Sequence, residues 1–252
     1  MSVSVVGCGR SGTNLVLEIL RGNSFFCASE PPENKDLCDG IMEGKEWIWD
    51  NGILKETDIH KNGTYEECYL TKCDTWYFKP HELENVLDRN KHMKIIWTIR
   101  DPRDMILSKI RRGQPKSQGG DGSEVVSDDA TPDGCIEDIN HMYNCYEYII
   151  TKCADRVFLI RMEDVINNIE KETKRMCEFI GIPYEKEMCE FTDRMRHPDK
   201  RKRYSVLDRS QLSLWKNWKE IYSGFFTENE YPIEDMFNLD LINNLKRKFN
   251  YE

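Results

Sequence analysis

The apolar positions of this chain follow two alternating rhythms. Short runs rich in β-branched, aromatic and other apolar residues recur at 3–6, 24–28, 67–71, 93–99 and 156–160, and predict strands. Between them the repeat lengthens to that of a helix over 14–20, 81–88 and 101–110. Further on, Ile136, Ile139, Met142, Tyr146, Ile149 and Cys153 line one face of a long amphipathic helix. Val165, Ile169, Met176 and Ile180 mark another, which Gly181 and Pro183 are placed to stop. Strands separated by helices predict an α/β fold with a mostly parallel central sheet of about five strands, flanked by helices in three layers.

Two stretches break the pattern. Residues 31–66 are polar and carry Trp47 and Trp49, and residues 111–134 contain Gly-Gly-Asp-Gly among Ser, Asp and Pro, which reads as a mobile loop. Segments this long inside a compact domain commonly act as lids or binding loops.

Composition narrows the function. Lys and Arg number 36 against 45 Asp and Glu, a net charge of −9, which argues against a general nucleic-acid binder. No apolar run reaches the length of a membrane span, and the first residues enter a strand without a signal-peptide pattern. The expectation is a cytoplasmic protein with neither nucleic acid nor membrane as partner. Ten cysteines raise the question of a metal, but no C-x-x-C occurs, and Cys68 and Cys73 fall within or beside a candidate strand. No metal site is expected. Cys27, Cys73, Cys145, Cys153 and Cys177 fit apolar faces as reduced core thiols.

The chemistry is concentrated in two motifs. Val3 to Val6 lead into Gly7-Cys8-Gly9-Arg10-Ser11-Gly12-Thr13-Asn14, a strand, a glycine-rich turn and the polar start of a helix. Such a turn directs backbone N–H groups at an oxyanion. Gly7 and Gly12 have the spacing of a Walker A loop, yet Thr13 stands where the lysine belongs and the cation is Arg10. The second motif is Ile99-Arg100-Asp101-Pro102-Arg103-Asp104, with Ser108 two turns along the following helix. Asp101 and Pro102 suit a helix cap and first position and need no further role. Arg100 and Ser108 suit a second phosphate at the carboxyl end of the sheet.

As an ordered pair these motifs resemble those of the sulfotransferases that use 3′-phosphoadenosine 5′-phosphosulfate (PAPS). Val157 to Asp164, the helix end from Glu178 to Pro183, and Arg209-Ser210 ahead of Trp215-Lys216-Asn217 are similar to further family segments, so the resemblance spans residues 1 to about 220. It implies a P-loop-type fold, one domain over 1–252 with acceptor-facing insertions at 31–66 and 111–134, and a helical closing segment over 200–252. It also implies sulfuryl transfer to a hydroxyl or amine of a carbohydrate or small-molecule acceptor, releasing 3′-phosphoadenosine 5′-phosphate (PAP). Gly9, Arg10, Ser11, Gly12, Thr13 and Asn14 then hold the 5′-phosphosulfate, and Arg100, Ser108 and Arg209 the 3′-phosphate. Arg10 and Lys72 stabilise charge on the leaving phosphate. Two carboxylates compete as the base: Glu30, matching a Glu-Pro of carbohydrate sulfotransferases and the first choice, and Asp74, where cytosolic members carry histidine. Met162 and Leu15 replace aromatics found in other members. A P-loop kinase and a non-catalytic anion-binding relative are the alternatives.

Overall fold

Four parallel strands form the sheet of the computed structural model, which describes residues 2–20, 22–24, 69–74, 81, 84, 88, 93–113, 131–190, 209, 212–221 and 232–251. In the order β2-β1-β3-β4 they are Tyr69–Asp74 (β2), Ser2–Gly7 (β1), Met93–Ile99 (β3) and Val157–Arg161 (β4). Helices cover both faces of the sheet, and β3 accordingly runs almost wholly apolar from Ile95 to Ile99, interrupted by the buried Thr98. On one face Val6, Ile95, Trp97 and Ile99 pack with α2 (Pro102–Gly113), α3 (Pro132–Cys153), α7 (Ile233–Asn238) and α8 (Asp240–Lys248). On the other, Val3, Val5 and Ile96 pack with α1 (Thr13–Leu20), α4 (Met162–Asn167) and α5 (Ile169–Ile180). A short helix, α6 (Trp218–Ile221), precedes α7. The three layers of the sequence reading are therefore present. Trp97 and Tyr146 lie 5.5 Å apart between ring centroids, and Tyr146 meets Phe249 edge-on at 5.6 Å, so the C-terminal residues belong to the core under β3.

The differences from the sequence reading have local causes. Four strands are found among the described residues; of the strand expected at 24–28, Ser24 lies in a turn and 25–28 fall outside those residues. β2 continues past 71 to Asp74, which puts Lys72 within the strand instead of at its end. The helix read from Val165 to Ile180 is two helices. Asn168, at φ −152°, leaves the helical conformation, and its side chain accepts the Lys171 N–H at 3.3 Å to start α5. Gly181 at φ 88° then ends α5, its N–H reaching the Cys177 carbonyl at 2.8 Å. The loop read over 111–134 gives up both ends to helices. α2 runs to Gly113, and α3 starts at Pro132 because Thr131 Oγ1 accepts the Gly134 N–H at 3.1 Å. Of the helix expected at 81–88, the described residues His81, Glu84 and Asp88 are helical. Cys145, Cys153 and Cys177 are buried free thiols, as expected; the side chains of Cys27 and Cys73 lie outside the described residues.

Candidate functional site

All four strands are parallel, so Gly7, Asp74, Ile99 and Arg161 bring their carboxyl ends to one edge of the sheet. The first loop on that edge is shaped by what surrounds it. Gly7 pairs with Thr98, and a Cβ there would lie 2.2 Å from Thr98 Oγ1, 2.6 Å from Ser11 Oγ and 2.8 Å from the Thr98 carbonyl oxygen. Only glycine fits. The turn then closes on itself: Ser11 N–H donates to the Cys8 carbonyl at 3.1 Å, and Ser11 Oγ donates to the same oxygen at 2.7 Å. Ser11 Oγ also meets Thr98 Oγ1 at 2.7 Å. The serine is fully buried, so both of its donors shape the turn from inside. Gly12, at φ 99°, takes the left-handed step before α1, and a Cβ on it would meet Met162 at 3.1–3.3 Å. Thr13 is buried and Asn14 half-buried at the start of α1, where first-turn N–H groups lack helical partners.

Arg10 is half-buried and holds φ 74°, the left-handed region that side chains rarely occupy. Its Nε donates to Ser108 Oγ at 2.9 Å across 98 residues of sequence. This bond joins the first motif to the second.

The second motif is held by carboxylates. Asp101 caps α2, accepting the Arg103 N–H at 2.9 Å and, through both oxygens, the Arg103 guanidinium at 2.9 and 2.6 Å. The cap role expected of Asp101 and Pro102 is thus present. Arg103 in turn places its guanidinium carbon over Trp215, 3.3 Å from the ring centroid. Fully buried Asp104 accepts the N–H groups of Ser213 at 2.9 Å and Trp215 at 3.0 Å, which fixes the segment after Arg209 on the start of α2. Arg100 is 5% exposed, with Nη2 3.9 Å from Asp104 Oδ2. Burial pushes the Asp104 carboxyl up from the usual range, opposed by Arg100 and the two N–H donors.

Glu163 ties the same edge to the C-terminus. One oxygen accepts the Asp101 N–H at 2.8 Å and the other accepts the Tyr251 hydroxyl at 3.1 Å, while Arg161 lies over the Tyr251 ring at 4.4 Å. Burial first, and then Glu163, raises the Tyr251 hydroxyl well above its usual range, and burial raises the Glu163 carboxyl. A carboxyl raised on folding gives stability that is complete below its unfolded value, about 4.3, and is lost as pH rises through the folded value. Wild type should therefore gain melting temperature relative to Glu163→Gln as pH falls from neutral through that window. Paired melts across this range check the sign.

The remaining predicted residues are placed as follows. Lys72 pairs in register with Val5, and Asp74 with Gly7 beside the turn. Arg209 is exposed, with Nη2 3.5 Å from the Asn167 carbonyl at the end of α4. Glu30 lies outside the described residues. Sequence reasoning missed Asp104 and Glu163 as anchors, and missed the buried Lys109–Asp138 pair beside Gly9. Lys109 did leave a signal, since it falls four residues after Met105 on the apolar face of α2. Among the described residues no cluster of His, Cys, Asp or Glu is arranged to hold a metal ion, and no helix is long and apolar enough to cross a membrane.

Comparison with known proteins gives one family and one fold. The sulfotransferase domain model matches residues 2–228. The sulfotransferase domain of the curacin biosynthetic pathway superposes with a TM-score of 0.62 at 18% identity, covering 99% of this chain and 97% of that one. The sulfotransferase domain of the Synechococcus PCC 7002 olefin synthase gives 0.60 at 14% identity, covering 100% and 95%. A mouse sulfotransferase solved with PAP gives 0.53 at 17% identity, covering 98% and 88%. A search of curated protein sequences finds no match.

Proposed function

We propose, on the premise that this chain belongs to the sulfotransferase domain family, that it transfers the sulfuryl group of PAPS to a hydroxyl or amine of a carbohydrate or small-molecule acceptor. The Arg10–Ser108 hydrogen bond of 2.9 Å carries the reading. It joins an oxyanion loop and a second phosphate motif at one sheet edge, as a donor with a phosphate at each end of its ribose requires. The mouse sulfotransferase of the same fold was solved with PAP, which supports the same donor here.

The loop fits such a group. Gly7 and Gly12 sit where a Cβ would crowd the turn, and the first turn of α1 opens beside Arg10. Gly9, Arg10, Gly12, Thr13 and Asn14 hold the 5′ end, with Ser11 shaping the turn. Arg100, Ser108 and Arg209 hold the 3′-phosphate. Bound PAPS would supply a sulfuryl group for in-line transfer from its phosphate oxygen to the acceptor. Arg10 and Lys72 offset the charge that gathers on the departing phosphate. A carboxylate, Glu30 or Asp74, takes the acceptor's proton. Residues 1–252 act as one domain, in which segments 31–66 and 114–130 select the acceptor.

Transfer of labelled sulfate from PAPS to a panel of sugars, phenols and amines tests the reading, run with Glu30→Gln, Asp74→Asn and the double variant. The variant lacking the base should lose about 10²-fold or more in turnover with PAP affinity intact. Wild type that binds PAP but labels no acceptor, with both carboxylates irrelevant to binding, would mark a non-catalytic relative.

A further inference from the structure

Beside the loop lies a charged group that the proposed chemistry does not use. Lys109, from the middle of α2, is 2% exposed, and lysines are almost never buried unless paired. Its Nζ donates to Asp138 Oδ2 on α3, and Asp138 is likewise buried. The same oxygen accepts the Cys8 thiol at 3.1 Å. Cys8 begins the turn, since its carbonyl receives both donors of Ser11. The second Asp138 oxygen is buried with no hydrogen-bond partner among the described residues.

The Lys109 ammonium approaches the loop itself. It lies 3.4 Å from the point a Gly9 Cβ would occupy, and no described atom of Asp138 comes within 4 Å of that point. Both ends of the pair therefore meet the loop, the ammonium beside Gly9 and the carboxylate at the Cys8 thiol. Burying such a pair is expensive, and apolar replacements of similar volume are often as stable or more so. Its electrostatic effect on the loop gives a reason for keeping it. A Walker A loop places a lysine at the position taken here by Thr13.

We propose that Lys109 is a buried positioning cation of this loop. It strengthens oxyanion binding through its field and through the backbone at Gly9, with Asp138 fixing it in place. The inference rests on the PAPS reading above. The contact with Asp138 offsets much of this field, so the intact pair is worth roughly a few-fold in oxyanion affinity in a medium of effective dielectric about 20. The carboxylate left alone by loss of Lys109 would instead repel the oxyanion and weaken its binding roughly tenfold or more.

The test measures PAP affinity by calorimetry and melting temperature for wild type, Lys109→Met, Asp138→Asn and the double variant. Lys109→Met leaves a buried carboxylate uncompensated, so it should lose both stability and at least about tenfold in PAP affinity. Asp138→Asn leaves the ammonium without its counter-charge, so it should lose stability as well, yet bind PAP clearly more tightly than Lys109→Met. The double variant should recover melting temperature over Lys109→Met and regain the affinity lost to the bare carboxylate, yet stay roughly a few-fold below wild type for PAP. If its affinity returns fully to the wild-type value, or if affinity tracks melting temperature across all four proteins, the pair is structural and the inference falls. If wild type binds PAP and Lys109→Met binds it equally, the inference fails while the PAPS reading stands. If wild type itself binds no PAP, both fail.

Discussion

Gly7→Ala should leave the chain about 3 kcal/mol or more less stable and without measurable PAP binding, the upper end of what an added methyl does in a packed core. A Cβ at this position meets two side-chain oxygens and a main-chain carbonyl, all within 2.8 Å. Thr98 cannot withdraw, because its carbonyl belongs to the central strand and its hydroxyl braces Ser11. The strain therefore passes into the β1–β3 register or opens the turn, and either outcome removes the oxyanion cradle. For a chain of 252 residues the expected fall in melting temperature is about 6–12 °C. Gly9→Ala is the control, since its Cβ meets only Lys109 Nζ, at 3.4 Å, among described atoms. It should fold with a melting temperature close to wild type. Equal melting temperatures for Gly7→Ala and wild type would contradict the packing derived for the turn.

Arg10→Gly should cost about 10²–10³-fold in kcat/KM for sulfuryl transfer, the range found when a donor to developing charge is removed. Arg10 already sits at φ 74°, so alanine would keep the same backbone strain of about 1–2 kcal/mol, whereas glycine relieves it, and a loss of rate in the glycine variant is then owed to the missing guanidinium. The variant also frees Ser108 Oγ from its partner Arg10 Nε, so PAP affinity should fall along with turnover. Arg10→Lys should recover only part of the rate, because an ammonium cannot reproduce the guanidinium's several directed donors. A variant lacking Arg10 that keeps kcat/KM within about threefold would remove it from the charge-stabilising role.

The elements read most directly from the sequence are those whose burial is two-sided or whose ends are marked chemically. β3 matches its expected bounds because six of its seven residues are buried and have no solvent face to satisfy. α1 and α2 start within one residue of the expected positions because a glycine turn and an Asp-Pro pair announce those starts. Asn168 was hidden inside a good helical period, as its capping action depends on one backbone angle that periodicity does not encode. Both loop motifs were legible as local strings. What unites them was not. The Arg10–Ser108 bond, the hold of Asp104 on Ser213 and Trp215, and the Cys8–Asp138–Lys109 group span from 29 to 130 residues of sequence. Such pairings follow from the order in which parallel strands deliver their loops to one edge. A linear pattern carries no mark of that order.

Thermal melting with PAP beside ATP, ADP and AMP tests the central claim most directly. A ligand at a hundred times its dissociation constant adds about 2.7 kcal/mol to stability. In a chain of this length that is a rise of about 5–10 °C. The proposed two-phosphate site predicts that rise with PAP and none of comparable size with ATP. A shift with ATP and not with PAP would contradict it, and would assign the loop to phosphoryl instead of sulfuryl transfer.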